Sequence, residues 1–128
     1  MRFLLDTHTF LWFIGGDARI SPVARSLIED VSNLPLLSMA SLWEMAIKLS
    51  IGRLRLAQPF ETLIPRQMQL NGISILDIEL NHVARVITLP FHHRDPFDRL
   101  LVAQAVEENI PLVSADGIFD AYPIKRLW

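Results

Sequence analysis

Phe3-Leu4-Leu5-Asp6-Thr7-His8-Thr9-Phe10-Leu11-Trp12-Phe13-Ile14, ending in Gly15-Gly16, passes from strand to helix across one acidic residue. The apolar run Arg2 to Leu5 reads as a short strand buried on both faces. Thr7 to Ile14 reads as a helix, stopped by the two glycines. Asp6 stands at the junction, and the junction recurs along the chain.

Ser21-Pro22 is a helix start, with Ser as N-cap and Pro at the first helical position. That helix is predicted to run to about Val31. Pro35 to Ser38 is the second strand. Ser41-Leu42-Trp43-Glu44 opens a helix ending near Gly52. Phe60 to Leu70 is predicted to be helical, bent or split at Pro65. Asn71-Gly72 is a turn before the strand Ile73 to Leu76. Glu79 to Thr88 is helical, and Leu89 to Arg94 is a loop. Pro96 to Glu108 is the clearest helix. Pro111 to Ser114 is a strand, and Ile124 to Leu127 is read as a last edge strand. Strands separated by helices imply an α/β fold whose mostly parallel sheet is covered on both faces.

The chain has 128 residues, which is one domain by the usual prior. It is 51% hydrophobic and 20% charged, apolar enough to suggest surface covered by a partner. No apolar run reaches the ~18 residues of a membrane span. Met1-Arg2 leads directly into a strand, so no signal peptide is expected. There is no cysteine, which excludes disulfides and thiolate metal sites and fits a reducing cytoplasm. Twelve Lys and Arg against fourteen Asp and Glu, a net charge of −2, argue against broad non-specific gripping of nucleic acid. They leave open an enzyme whose acids are neutralised by metal.

In a parallel sheet, ligands bind outside the carboxyl ends of the strands. Asp6 and Asp116 fall at such ends. Glu44 lies near the start of a helix that follows a strand, at the same edge. Asp95 and Asp98 open the helix that feeds the Pro111 strand. Its start is expected at the far edge, unless the Leu89–Arg94 loop carries the chain back. Five acids at one edge suggest a Mg²⁺ or Mn²⁺ site, because hard cations favour oxygen ligands. Capping is a competing explanation. Asp95-Pro96-Phe97-Asp98 has the form of a helix start, and Ser41-x-x-Glu44 that of a capping box. Capping accounts less well for Asp6 and Asp116.

His8, two residues after the first acid, is either a capping or core histidine or a substrate contact. His92-His93-Arg94 is a solvated loop or a phosphate contact, and the histidine spacing does not suit zinc. Lys48, Arg53 and Arg55 read as a solvated helix end, or else as an RNA or partner contact. Phe10, Trp12, Phe13 and Trp43 are expected in the core, and Leu11 to Ile14 could also supply an interface.

Four segments resemble the PIN-domain ribonucleases, in particular the VapC-like toxins of bacterial type II toxin–antitoxin pairs. They are Phe3-Leu4-Leu5-Asp6-Thr7-His8, Ser38-Met39-Ala40-Ser41-Leu42-Trp43-Glu44, the stretch from His93-Arg94-Asp95-Pro96-Phe97-Asp98 through Ala105, and Leu112-Val113-Ser114-Ala115-Asp116. The resemblance implies a three-layer PIN-like fold over residues 1–128, with four to five strands. It implies metal-dependent cleavage of RNA and convergence of the doubtful helix start on the site. Asp6, Glu44, Asp98 and Asp116 match the acidic set. Asp6 and Asp98 would be direct Mg²⁺ ligands, with Mn²⁺ an alternative. Glu44 and Asp116 would orient water or hold a second ion, and Asp95 would be accessory or a cap. His8, Ser114, His93 and Arg94 are candidate substrate contacts. The implied protein is cytoplasmic, homodimeric and silenced by an antitoxin. A catalytically silent binding module is the alternative. A phosphoacceptor receiver domain fits poorly, since Asp6 stands alone and Lys125 comes very late.

Overall fold

The computed structural model describes residues 1–128. In chain order it contains β1 (Arg2–Leu5), α1 (Thr7–Ile14), α2 (Pro22–Glu29), β2 (Leu34–Ser38), α3 (Met39–Ser50) and α4 (Phe60–Leu70). Then come β3 (Ser74–Leu76), α5 (Leu80–Val86), α6 (Pro96–Glu108), β4 (Leu112–Val113), a 3-10 helix (Gly117–Ala121) and β5 (Arg126–Leu127). The strands form one sheet in the order β3-β2-β1-β4-β5. Every pairing is parallel, with Leu4 beside Leu36 on one side and Leu112 on the other.

The three layers follow from the two-residue period of β1. Phe3 and Leu5 face a core made with Phe10 of α1, Ala24 and Ile28 of α2, Met45 of α3, and Ile64 and Met68 of α4. Leu4 points the other way, into a second core with Leu101 and Val102 of α6, Leu112, Phe119 and Tyr122. Phe3, Leu4 and Leu5 are fully buried. Each such burial contributes about 1.5–3 kcal/mol, which is why so short a strand holds the centre of the sheet.

Several local expectations are corrected. Pro65 does not divide α4. Pro65 and Glu61 are both exposed, so the carbonyl that the missing N–H would have served can face water. The helix after β2 begins at Met39, two residues before Ser41. Ser38 is its N-cap and accepts a bond from the Ala40 amide at 3.0 Å. The apparent capping box at Ser41 is therefore inside the helix, and Glu44 caps nothing. Trp43 is 60% exposed, not core. Leu11 to Ile14 pack half-buried against the first core.

The expected misplacement of α6 does not arise. A helix that feeds a parallel strand runs against it, so it starts at the carboxyl edge. Glu108, the last residue of α6, pairs at 3.5 Å with Arg2, the first of β1, which puts the helix end at the amino edge. α5 lies antiparallel to α6: His82 near its start meets Glu108, and the Val86 carbonyl at its end meets Arg99. The intervening loop thus already sits at the carboxyl edge. Asn109 at φ 51° is the left-handed residue after α6 that turns the chain into β4.

Candidate active site

Asp6 ends β1 and occupies the N-cap position of α1 without a capping bond from its side chain. Its Oδ2 instead accepts a 2.7 Å hydrogen bond from Ser114 Oγ, beyond the end of β4. Ser114 Oγ also accepts from the Asp116 amide at 3.0 Å. One fully buried hydroxyl therefore ties the two strand-end acids together. Asp6 itself is buried. Burial raises its pKa above the usual carboxylate value, against the lowering effects of the Ser114 bond and the nearby His8.

Glu44 is buried in the second turn of α3, and its carboxylate pairs with Lys48 one turn on, at 3.0 Å. Thr7 Oγ1 donates to Ser41 Oγ at 2.8 Å and so joins the starts of α1 and α3 beneath Asp6 and Glu44. Asp95 is the N-cap of α6 in fact, accepting from the amides of Phe97 at 2.7 Å and Asp98 at 3.3 Å. Asp98 has no such duty and is half-buried. Its pKa rises from an ordinary 3.8 to about 7. Burial is the main cause, followed by the negative charges of Asp95 and Asp6, with Glu44 a smaller contribution. Asp6, Glu44, Asp95 and Asp98 thus feel one another, although they come from three separate parts of the chain.

Asp116 joins this edge through Ser114, and both its oxygens are used. Oδ1 accepts from the Ile118 amide at 3.0 Å and caps the 3-10 helix. Oδ2 lies 2.8 Å from His93 Nε2. The buried His93 ring has Nδ1 at 3.0 Å from the Tyr122 hydroxyl, which also accepts the His93 amide at 2.9 Å. An Nε2–H tautomer satisfies all three contacts: it donates to Asp116 and accepts from Tyr122. Ser114 and His93, both expected to meet substrate, are thus buried and committed to holding the acids. His8 and Arg94 are exposed and free of such bonds. His92 packs edge-on against Tyr122.

Three contributors were not read from the sequence. Gln104, fully buried, accepts from Ser38 Oγ at 2.6 Å and donates to the Asp77 carbonyl at 3.3 Å. It ties α6 to the ends of β2 and β3. Tyr122 holds His93. Arg99, 5% exposed, donates to the carbonyls of Pro90, Leu89 and Val86 and lies 4.0 Å from the centre of the Phe91 ring. A signal for Arg99 was present: a cation in the first turn of a helix opposes the dipole and needs another reason to be there.

No three His, Asp or Glu side chains are arranged to hold an ion by themselves. The donor set nevertheless suits Mg²⁺, which keeps several waters and takes one or two carboxylates together with substrate phosphate. Asp6 and Asp98 are crowded, poorly solvated acids that no Lys or Arg neutralises. Burial first, and neighbouring carboxylates after it, raise the pKa of both, so a cation bound there would offset the cost of holding them charged.

The PIN domain family matches residues 3–125. Ribonuclease VapC22 of Mycobacterium tuberculosis is 30% identical over 114 residues, covering 88% of this chain and 85% of that protein. Ribonuclease VapC16 of the same organism is 38% identical over 60 residues, 47% of this chain but only 43% of that protein. Among solved structures, VapBC2 from Rickettsia felis, bound to a DNA fragment from its promoter, superposes with a TM-score of 0.72 at 18% identity. That superposition covers 99% of this chain and 98% of the other, and shows a shared fold. With the parallel five-stranded sheet and the match running from Phe3 to Lys125, this chain belongs to the PIN domain family.

Proposed function

We propose that this protein is a divalent-metal-dependent endoribonuclease and the toxin of a toxin–antitoxin pair, acting in the cytoplasm through one catalytic unit, residues 1–128. The observation that carries the reading is the meeting of Asp6, Glu44 and Asp98 at the carboxyl edge, with Asp6 and Asp98 left without a neutralising cation. Asp6 and Asp98 would hold Mg²⁺, or Mn²⁺ in its place, with Asp95 near enough to add charge. The metal would supply a water acidified for attack on phosphorus and stabilise the leaving oxygen.

This chain's own residues do the rest. Ser114 fixes the Asp6 carboxylate, and His93 fixes Asp116, so neither must be reoriented when substrate arrives. Glu44, held by Lys48, faces the same space and can accept a proton. Arg94 stands exposed beside Asp95, placed for a phosphate oxygen. The decisive assay is cleavage of RNA by the purified protein with and without EDTA, beside an Asp6→Asn variant. EDTA should stop cleavage, and the variant should cut no faster than the chelated parent. Cleavage that persists in both cases sinks the proposal.

The pairing of Glu44 with Lys48 and of Asp116 with His93 favours the other reading, a silent protein-binding module. Titration calorimetry separates the two, because a silent module shows no Mg²⁺ or Mn²⁺ heat in the presence of RNA.

A homodimer is part of the same proposal. Met39, Trp43 and Ile47 of α3, with Ile51 just past its end, are exposed at every fourth residue, one apolar stripe that a second copy would cover. Ile47→Glu places a charge in its middle. The parent should sediment as a dimer and the variant as a monomer, and a parent that is monomeric at micromolar concentration removes the stripe as an interface. A protein antitoxin is the further partner that the likeness to VapC-like toxins supports.

A further inference from the structure

Beside the acids lies a pocket of about 220 Å³ lined by Asp6, His8, Thr9, Trp12, Ala115 and Asp116. It joins two acids of the proposed catalytic set to two aromatic rings and contains no Lys or Arg. Bare carboxylates repel a phosphate, so the aromatic end suits a neutral flat group. Trp12 is held from several sides. The Arg19 guanidinium lies 5.0 Å from its ring centre and is itself paired with Asp17 at 2.7 Å. Trp128 meets Trp12 edge-on at 6.0 Å, and the exposed His8 ring lies 5.9 Å away at 35°. Thr9 Oγ1 donates to the Val113 carbonyl at 3.0 Å and anchors α1 against β4. Trp12 and His8 also border a second pocket of about 350 Å³ that includes Arg55. Arg55 makes no ion pair, so a cation is available one step further from the acids.

Resting on the nuclease reading, we propose that this pocket binds an unpaired RNA base next to the cut phosphate. The base stacks on Trp12 and His8, and the following phosphate passes toward Arg55. A base inside a duplex keeps its faces covered, whereas one in a loop or single strand can be splayed onto an aromatic ring. Trp12 and His8 would thus supply the platform for the base that flanks the cut, without reading any base edge.

The test uses the full protein and an unpaired RNA of twelve nucleotides. Binding is read by fluorescence anisotropy in EDTA, and KM and kcat in Mg²⁺. Trp12→Leu should weaken binding and raise KM about tenfold with kcat unchanged, and Trp12→Phe should retain most of both. An abasic residue beside the mapped cut should cost the parent the same factor and cost Trp12→Leu no more than the roughly threefold share of His8. Should Trp12→Leu melt below assay temperature, His8→Ala, at an exposed position, carries the comparison with a loss of about threefold. Parent-like binding by Trp12→Leu, or an equal abasic penalty in parent and variant, overturns the pocket while leaving the nuclease standing. A parent that cuts no RNA, yet loses affinity on Trp12→Leu, overturns the nuclease and keeps the pocket.

Discussion

Asp98→Asn should raise the stability of the metal-free protein at pH 8 while lowering RNA cleavage about a thousandfold, the scale expected when a metal's several kcal/mol of charge stabilisation is lost. Both effects come from one carboxylate held close to other acids. The Asp98 pKa is raised to about 7 in the folded protein, first by burial and then by Asp95 and Asp6. An acid whose folded pKa exceeds its unfolded one binds its proton more tightly when folded, so stability falls as pH climbs between the two values. The cost is absent below about pH 4, grows through the window and levels off above about pH 7. Asn carries no charge and escapes it. Solvent screening of this half-exposed group reduces the gain to about 1–2 kcal/mol, or roughly 5 °C in Tm. Melting curves of parent and variant at pH 4 and pH 8 measure it. Saturating Mg²⁺ should raise the Tm of the parent, because a ligand stabilises the state that binds it, and leave the variant's almost unmoved. Equal melting temperatures at pH 8 would show that Asp98 bears no strain, and an equal Mg²⁺ shift in both proteins that it does not hold the ion.

Arg99→Leu should cost about 3 kcal/mol, because three backbone carbonyls lose their charged donor and two of them, Leu89 and Pro90, lie in the loop outside any helix. For a domain of this size that is roughly a 10 °C fall in Tm. Arg99 is the side chain that binds the end of α5 and the loop after it to the first turn of α6. Its removal should also speed amide exchange across residues 87–94 more than elsewhere. Arg99→Lys should recover only part of the loss, since an ammonium lacks the planar fork that reaches several carbonyls at once. A Tm within a degree of the parent for Arg99→Leu would refute the anchoring role.

The acids show how far local pattern carries and where it stops. Asp6 and Asp116 were legible as strand-end acids because a buried strand announces itself by a run of apolar residues, and the residue that breaks the run marks its end. Asp95 was legible as a cap because Pro96 fixes the first helical residue. For Glu44 a capping box stood beside the acidic-set reading, since Ser38 and Ser41 offer equally good caps in one dimension; packing chose Ser38 and removed the capping alternative. Periodicity alone left the α6 start at the far edge and only the family resemblance brought it to the site, because the local reading neglected that a helix feeding a parallel strand runs opposite to it.

What the sequence determined by itself is the alternation of strand and helix, the parallel sheet, and Asp6, Glu44 and Asp116 at its carboxyl edge. Each follows from spacing within a few residues, the range over which apolar period and backbone preference act. What only the tertiary structure decided is which polar groups are spoken for. Ser114 reaches Asp6 from 108 residues away, Thr7 reaches Ser41 across 34, and Ser38 reaches Gln104 across 66. Such bonds leave no local period in the chain, because the desolvation that makes them necessary arises only when distant segments bury one another. The same packing placed Trp12 at the wall of the acidic site and left Trp43 in the open.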